Sequence, residues 1–178
     1  MSEKAIFTTG HSTRSIGEFI AILNKYEIAI VLDIRTIPRS ARYPQFNSDN
    51  LRKSLEANGM EYMHIKELGG FRKPRKDSQN TGWRNLSFRG YADYMQTEQF
   101  EAGLTKVLEF AKDKSSALMC AEAVPWRCHR SLVSDALIVR GFLVIDILSE
   151  SKSQPHSLTR WAKVEGFTLS YPKDTRDA

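Results

Sequence analysis

Apolar residues run along this chain in two rhythms, short continuous runs and stretches at helical spacing, and the two alternate. Ile6-Phe7-Thr8-Thr9-Gly10 reads as a short strand ending in a turn, and Ser15 caps a helix whose apolar positions are Ile16, Phe19, Ile20 and Leu23. Ile28 to Ile34 is almost uninterrupted in its apolarity, the pattern of a parallel strand buried on both faces, with Asp33 near its end. Pro38 and Pro44 mark an irregular basic loop. Ser48 or Asp49 then starts a helix that Asn58-Gly59 stops, and Glu61 to Ile65 forms the third strand. Residues 68–89 carry Gly, Lys and Arg without a period, and a loop this long within a domain points to function, so it is read as a flap over the site.

The remaining pattern predicts a helix from Tyr91 to Lys112, breakable near Thr97, with Phe100, Leu104, Val107, Leu108 and Phe110 on its apolar face. A strand over Ser116 to Cys120 follows, then a helix from about Pro125 through Ile138 that stops at Gly141, and a strand over Phe142 to Ile147. The tail adds a short helix around Leu158 to Lys163 and a last strand near Phe167. This alternation predicts one α/β domain over residues 1–178, three-layered and Rossmann-like, with a mainly parallel sheet. In such sheets the crevice lies beyond the carboxyl ends of the strands, where the strand order reverses.

Composition agrees with a folded domain: 178 residues, 41% hydrophobic and 26% charged, suffice for a core without disulfides. The N-terminal Met-Ser-Glu-Lys-Ala-Ile lacks the apolar run of a signal peptide, and no stretch is long enough to span a membrane, so a cytoplasmic protein is expected. The net charge of +5 is uneven: Arg35 to Arg89 holds twelve basic and five acidic residues, or +7, leaving −2 elsewhere. That region also carries Tyr43, Phe46, Phe71, Trp83, Phe88 and Tyr91, a mixture suited to phosphates and stacked bases, or to a solvated face over core aromatics.

Three segments bring polar residues to the carboxyl edge of the sheet. Gly10-His11-Ser12-Thr13-Arg14 pairs a tight turn with a helix N-terminus that can receive an anion. Asp33-Ile34-Arg35, continuing to Arg39, places a carboxylate at the end of an apolar strand, where burial and a nearby guanidinium tune it in opposite directions; a structural pair with Arg35 or Arg39 is the alternative. Cys120-Ala121-Glu122 and Pro125-Trp126-Arg127-Cys128-His129-Arg130 form the third. A helix starting at Pro125 would hold Cys128 and His129 in its first turn, favouring a thiolate at Cys128, while Cys120 reads as a small core residue. The two cysteines stand eight positions apart, too far for the usual zinc pairing, so neither metal nor cofactor is expected. Six residues between Cys120 and Arg127 also miss the five of thiol-phosphate cradles.

Taken in order, Thr9-Gly10-His11-Ser12, Asp33-Ile34-Arg35 with Pro38-Arg39-Ser40, Gln45-Phe46-Asn47, Glu67-Leu68-Gly69-Gly70, and Cys120-Ala121-Glu122 with Cys128-His129-Arg130 resemble the domain-of-unknown-function 488 family from about Phe7 to Ile147. The resemblance implies a small cytosolic α/β protein with the Cys-x-Glu and Cys-His-Arg motifs at its functional centre, and it assigns no reaction. Asp146 stands where relatives often carry His.

Two enzymatic chemistries and one binding role fit these residues. Asp33 and Glu122 as a carboxylate pair suit hydrolysis of an N-glycosidic bond, which makes the chain a nucleobase-processing enzyme of DNA or RNA. The basic Arg35 to Arg89 region, Arg35 and Arg39 included, would then hold the backbone, with Ser12 among the substrate-binding residues, and Tyr43, Phe46 or Trp126 would stack an everted base. In the alternative, Cys128 is a nucleophile with His129 or His11 as its base, and Arg127 or Arg130 holds an anionic substrate. A non-catalytic nucleic-acid-binding module would use the same groove.

Overall fold

The computed structural model describes residues 4–174. Five strands run parallel: β1 (Ala5–Gly10), β2 (Ile30–Asp33), β3 (Glu61–His64), β4 (Ser116–Cys120) and β5 (Leu143–Ser149). With β6 (Lys152–Pro155) paired antiparallel to β5, they form one sheet in the order β3-β2-β4-β1-β5-β6. Every residue of β2 and β4 is buried, as expected for strands covered on both faces. One face packs Phe7, Val31, Ala117 and Met119 under α1 (Ile16–Lys25) and α2 (Ser48–Glu56). The other packs Ile6, Leu32, Leu118, Cys120 and Val144 under α3 (Leu86–Tyr94), α4 (Glu98–Asp113) and α5 (Arg130–Ile138). The result is a three-layer, Rossmann-like α/β fold.

The strand order decides where a site can form. β4 is inserted between β1 and β2, whose following helices lie on the face opposite to its own α5. Loops therefore part to opposite sides on both flanks of β4, which opens the sheet at that strand's carboxyl end. The register sets Gly10 beside Cys120 and Asp33 beside Met119, so the three strand ends are level.

Local chemistry explains most element ends. Ser15 and Glu18 form a reciprocal capping box at the start of α1. Gly59 and Gly141, at φ of 75° and 86°, take the left-handed backbone that ends α2 and α5. The expected helix over Tyr91 to Lys112 is two helices: α3 starts at Leu86 and α4 at Glu98, with Thr97 capping the second through the Phe100 N–H. The flap segment, whose last residues join α3, is tied to that helix rather than free. Asp93 accepts from the Arg75 N–H, the Ser78 hydroxyl and the Asn80 amide.

Two expectations are corrected. The helix placed at Pro125 starts at Arg130, after a 3-10 turn over Pro125–Arg127 and an extended Cys128 at φ −138°, ψ 147°. The tail forms no helix around Leu158 to Lys163; it makes β6 and a separate hairpin of β7 (Lys163–Glu165) and β8 (Thr168–Ser170). Side-chain anchors override local propensity there. Asp135 accepts from the Thr159 N–H, the Tyr171 hydroxyl and His156, and Asp146 accepts from Thr8 and from the other nitrogen of His156. Among the described residues no helix is long and apolar enough to cross a membrane.

Burial alone would lower the pKa of His156, but hydrogen bonds to Asp135 and Asp146 outweigh it and raise it from 6.5 to about 9. A folded value above the unfolded one gives stabilisation that is complete below 6.5 and lost as pH rises through about 9. The thermal midpoint should therefore fall across that window. His156→Gln should flatten the slope, as differential scanning calorimetry at a series of pH values would record.

Candidate functional site

At the end of β4 the chain turns through Ala121 to Val124 and comes back to α5, folding a loop over the last strand residue, Cys120. β1 holds this loop down: the His11 and Ser12 N–H groups donate to the Cys120 and Ala121 carbonyls at 3.0 and 2.9 Å. The approach is so close that a Cβ on Gly10 would lie 1.6 Å from the Glu122 carbonyl oxygen, so no side chain fits there.

Folding the loop brings Cys128 Sγ to 2.8 Å from Cys120 Sγ. Beneath both lies Arg130, fully buried. Its Nη1 donates to Cys120 Sγ at 2.9 Å and to the Glu122 carbonyl at 3.1 Å, and Nη2 reaches the Ala123 carbonyl at 3.5 Å. Its Nε–H has no acceptor, and no carboxylate pairs with it among the described residues. A buried guanidinium needs a counter-charge, and the nearest group able to carry one is the Cys120 thiol.

The two thiols are accordingly unequal. Burial pushes the Cys120 thiol up, but the Cys128 hydrogen bond, the Arg130 charge and the Glu122 backbone outweigh it, lowering it from 9.0 to about 7. Cys128 moves the other way, because its hydrogen bond to Cys120 and its burial keep the proton on it. The helical first turn expected to activate Cys128 is absent, and the contact with Arg130 favours ionisation at Cys120 over Cys128.

Both nearby histidines are neutral near pH 7. His129 is lowered to about 4 by burial. Its Nε2 lies 2.9 Å from the Ile34 carbonyl, which can only accept, so Nε2 carries the proton and Nδ1 faces Cys128 Sγ at 3.5 Å. His11 is likewise lowered to about 4, mainly by burial. Its Nδ1 donates to the Ser12 carbonyl, its ring stacks on Phe46 at 4.3 Å between centroids, and Tyr43 stands edge-on to it.

Asp33 lies on the opposite face of the sheet from Cys120, toward α1 and α2. Its two oxygens accept four hydrogen bonds, from the Arg35 N–H, Nε and Nη2 and from the Tyr62 hydroxyl. Arg35 Nη2 also donates to the Phe46 carbonyl, which ties the ion pair to the stacked His11. This is the structural pair rather than an open acid or base. Glu122 turns its carbonyl inward and exposes its side chain, so the two carboxylates do not face a common space. Arg39, Trp126 and Arg127 are exposed near the site, and Ser12 is half-buried with φ of 50°.

Sequence reasoning missed Tyr62 as the partner of Asp33, and missed Arg14, which donates to the Gly10 and Leu148 carbonyls across the ends of β1 and β5. A tyrosine alternating with exposed residues on β3 was the only available signal. Among the described residues no group of three or more His, Cys, Asp or Glu side chains is placed to hold a metal ion.

Removing Arg35 would strand a buried carboxylate, so Arg35→Ala should cost about 3–5 kcal/mol. Glu122→Gln, on an exposed side chain, should change stability by no more than about 0.5 kcal/mol. Denaturant unfolding of the two variants distinguishes these roles.

Comparison with curated proteins and with solved structures finds no match. A family model does match, over residues 15–137, a span that holds Asp33, Glu122, both cysteines and Arg130 but stops short of Asp146. With more than two-thirds of its length covered, the chain belongs to the family described as domain of unknown function DUF488.

Proposed function

We propose that this chain is a thiol-dependent enzyme in which Cys120 is the reactive thiolate toward an anionic substrate. The observation that carries the reading is Arg130, a buried guanidinium with no carboxylate, 2.9 Å from Cys120 Sγ. The thiolate supplies the charge that the guanidinium lacks, and the guanidinium holds the sulfur ionised near neutral pH. Cys128 keeps its proton and donates to that sulfur. Its own neighbour is the unprotonated Nδ1 of His129, 3.5 Å away. Chemistry of this kind needs a reduced thiol pair, which fits the cytoplasm.

The anion is best supplied by a nucleic acid. Arg39, Arg42, Arg52, Lys53, Lys66, Lys73, Lys76 and Arg84 are exposed, with Phe71 86% and Ile37 64% exposed among them. Hydrolysis of an N-glycosidic bond by Asp33 and Glu122 has less support, since Asp33 would first have to leave Arg35 and Tyr62.

Ultraviolet absorbance of thiolate, titrated from acid to base, should show one sulfur ionising near 7 and the other far higher. Reactivity toward iodoacetamide should rise through the same midpoint. Cys128→Ser keeps a hydroxyl donor and should still titrate near neutrality, whereas Cys120→Ser should lose the transition. Arg130→Gln should move it to roughly 8.5 or above, the range of an ordinary cysteine. A low transition that persists in Cys120→Ser would assign the thiolate elsewhere.

Binding to labelled DNA or RNA should weaken steeply with salt, by roughly a thousandfold between about 50 and 200 mM if some six phosphates are contacted. Absence of binding at low salt would remove nucleic acid as the anion.

A further inference from the structure

Beside the thiol pair, on the α5 side of the sheet, lies a cleft of about 350 Å³, within the size range of small-molecule sites. Its walls come from four stretches of chain: the segment before α3, the turn after β4 with the first turn of α5, the β5–β6 edge, and the tail turn. The chain has three tryptophans, Trp83, Trp126 and Trp161, and all three line this cleft. Trp83 is packed inside, 4.8 Å from Trp161, 5.0 Å from Phe88 and 5.6 Å from Tyr171 between ring centroids, and its buried Nε1–H has no acceptor. Trp126 and Trp161 stand 58% and 40% exposed. Indole left in water next to a fixed aromatic wall is a stacking surface without its partner.

The polar lining narrows the partner. Asp146 is consumed by Thr8 and His156, so its carboxylate offers nothing to a ligand. His156 is held rigid between two aspartates. Besides the Ser157 and Thr159 hydroxyls, that leaves the exposed Gln154 amide, which can donate and accept along a heterocycle edge, and Arg160, whose guanidinium has no partner among the described residues. A planar, hydrogen-bonding ring joined to an anion satisfies all three features. We propose that the cleft binds a nucleobase carrying a phosphate, with the base stacked on Trp126 and Trp161 and the phosphate near Arg160. The inference stands on the cleft alone and does not require the thiolate chemistry. The two are neighbours nonetheless, because Ser131 of the cleft wall donates its hydroxyl to the Cys128 carbonyl at 3.0 Å.

Because every tryptophan lines the cleft, indole fluorescence reports on this site and no other. Titration with adenosine, guanosine, cytidine and uridine monophosphates, excited at the red edge of the indole band where the nucleotides do not absorb, should give saturable quenching. Trp126→Ala and Trp161→Ala should each weaken binding at least about fivefold, the loss expected for one stacking face. Both side chains are exposed enough for truncation to leave the fold intact, which an unchanged thermal midpoint verifies. Arg160→Ala should weaken the monophosphates while leaving the corresponding nucleosides unchanged. A short single-stranded oligonucleotide that binds more tightly than the monophosphates identifies the base as part of a nucleic acid; the reverse order identifies a free nucleotide. No quenching up to millimolar nucleotide, affinity unchanged in both tryptophan variants, or equal affinity for benzoate and indole-3-acetate would overturn the proposal. None of these outcomes bears on the thiolate titration, so the two readings fail separately.

Discussion

A guanidinium sealed from water must find negative charge, and in this molecule Arg130 finds it in sulfur. Transfer of an unpaired cation into a protein interior is too costly to leave uncompensated, and for arginine loss of the proton is not an escape. Its neighbours above are carbonyls of the Glu122 and Ala123 peptides, which share the positive charge without cancelling it. Among the described residues the Cys120 thiol is the ionisable group to which the guanidinium donates, and ionising it would convert a buried charge into a buried pair. The asymmetry between the cysteines follows directly. One of two touching thiols gains by ionising beside the cation, and once it has done so the other gains by keeping its proton and donating.

The sheet supplies the geometry that this pairing needs. Insertion of β4 between β1 and β2 sends the neighbouring helices to the opposite face, so the loop after Cys120 has room to fold back over its own strand. Gly10 lets that loop descend until its carbonyls meet Arg130, and the His11 and Ser12 amides fix it there. On the far face Asp33, Arg35 and Tyr62 form a closed set that orients Phe46 and, through it, His11. The two charged clusters sit on opposite sides of the same strand ends. Asp33 is bound to its own cation and Cys120 to its own, so each serves a different layer.

Periodicity and capping made most of the framework legible. Ile28 to Ile34 announced a doubly buried strand, Ser15 a helix start, and Gly59 and Gly141 helix stops, because each of these depends on residues close in sequence. The tail was misread for the opposite reason: Leu158 to Lys163 has helical composition, but Asp135 and Asp146, from elsewhere in the chain, hold Thr159 and His156 in a turn. The site was legible as a set of residues and not as an assignment of roles. Which cysteine ionises depends on Arg130 reaching back under the loop, and the 3-10 turn at Pro125 that makes this reach possible delays the helix by five residues. Asp33 looked tunable because its partner Tyr62 lies 29 residues away on another strand.

The segment from Ala121 to Ser131 is therefore shared by two surfaces. Its inner side presents carbonyls to Arg130 and closes over the two sulfurs, and its outer side presents Pro125, Trp126 and Ser131 to the tryptophan cleft. The 3-10 turn between them is short, and Trp126 stands only two residues before Cys128. Cys120, by contrast, is fixed in the sheet register by Gly10. One stretch of backbone thus carries a residue of each surface, Cys128 inside and Trp126 outside, with the Pro125–Arg127 turn between the sheet and the helix setting the place of both.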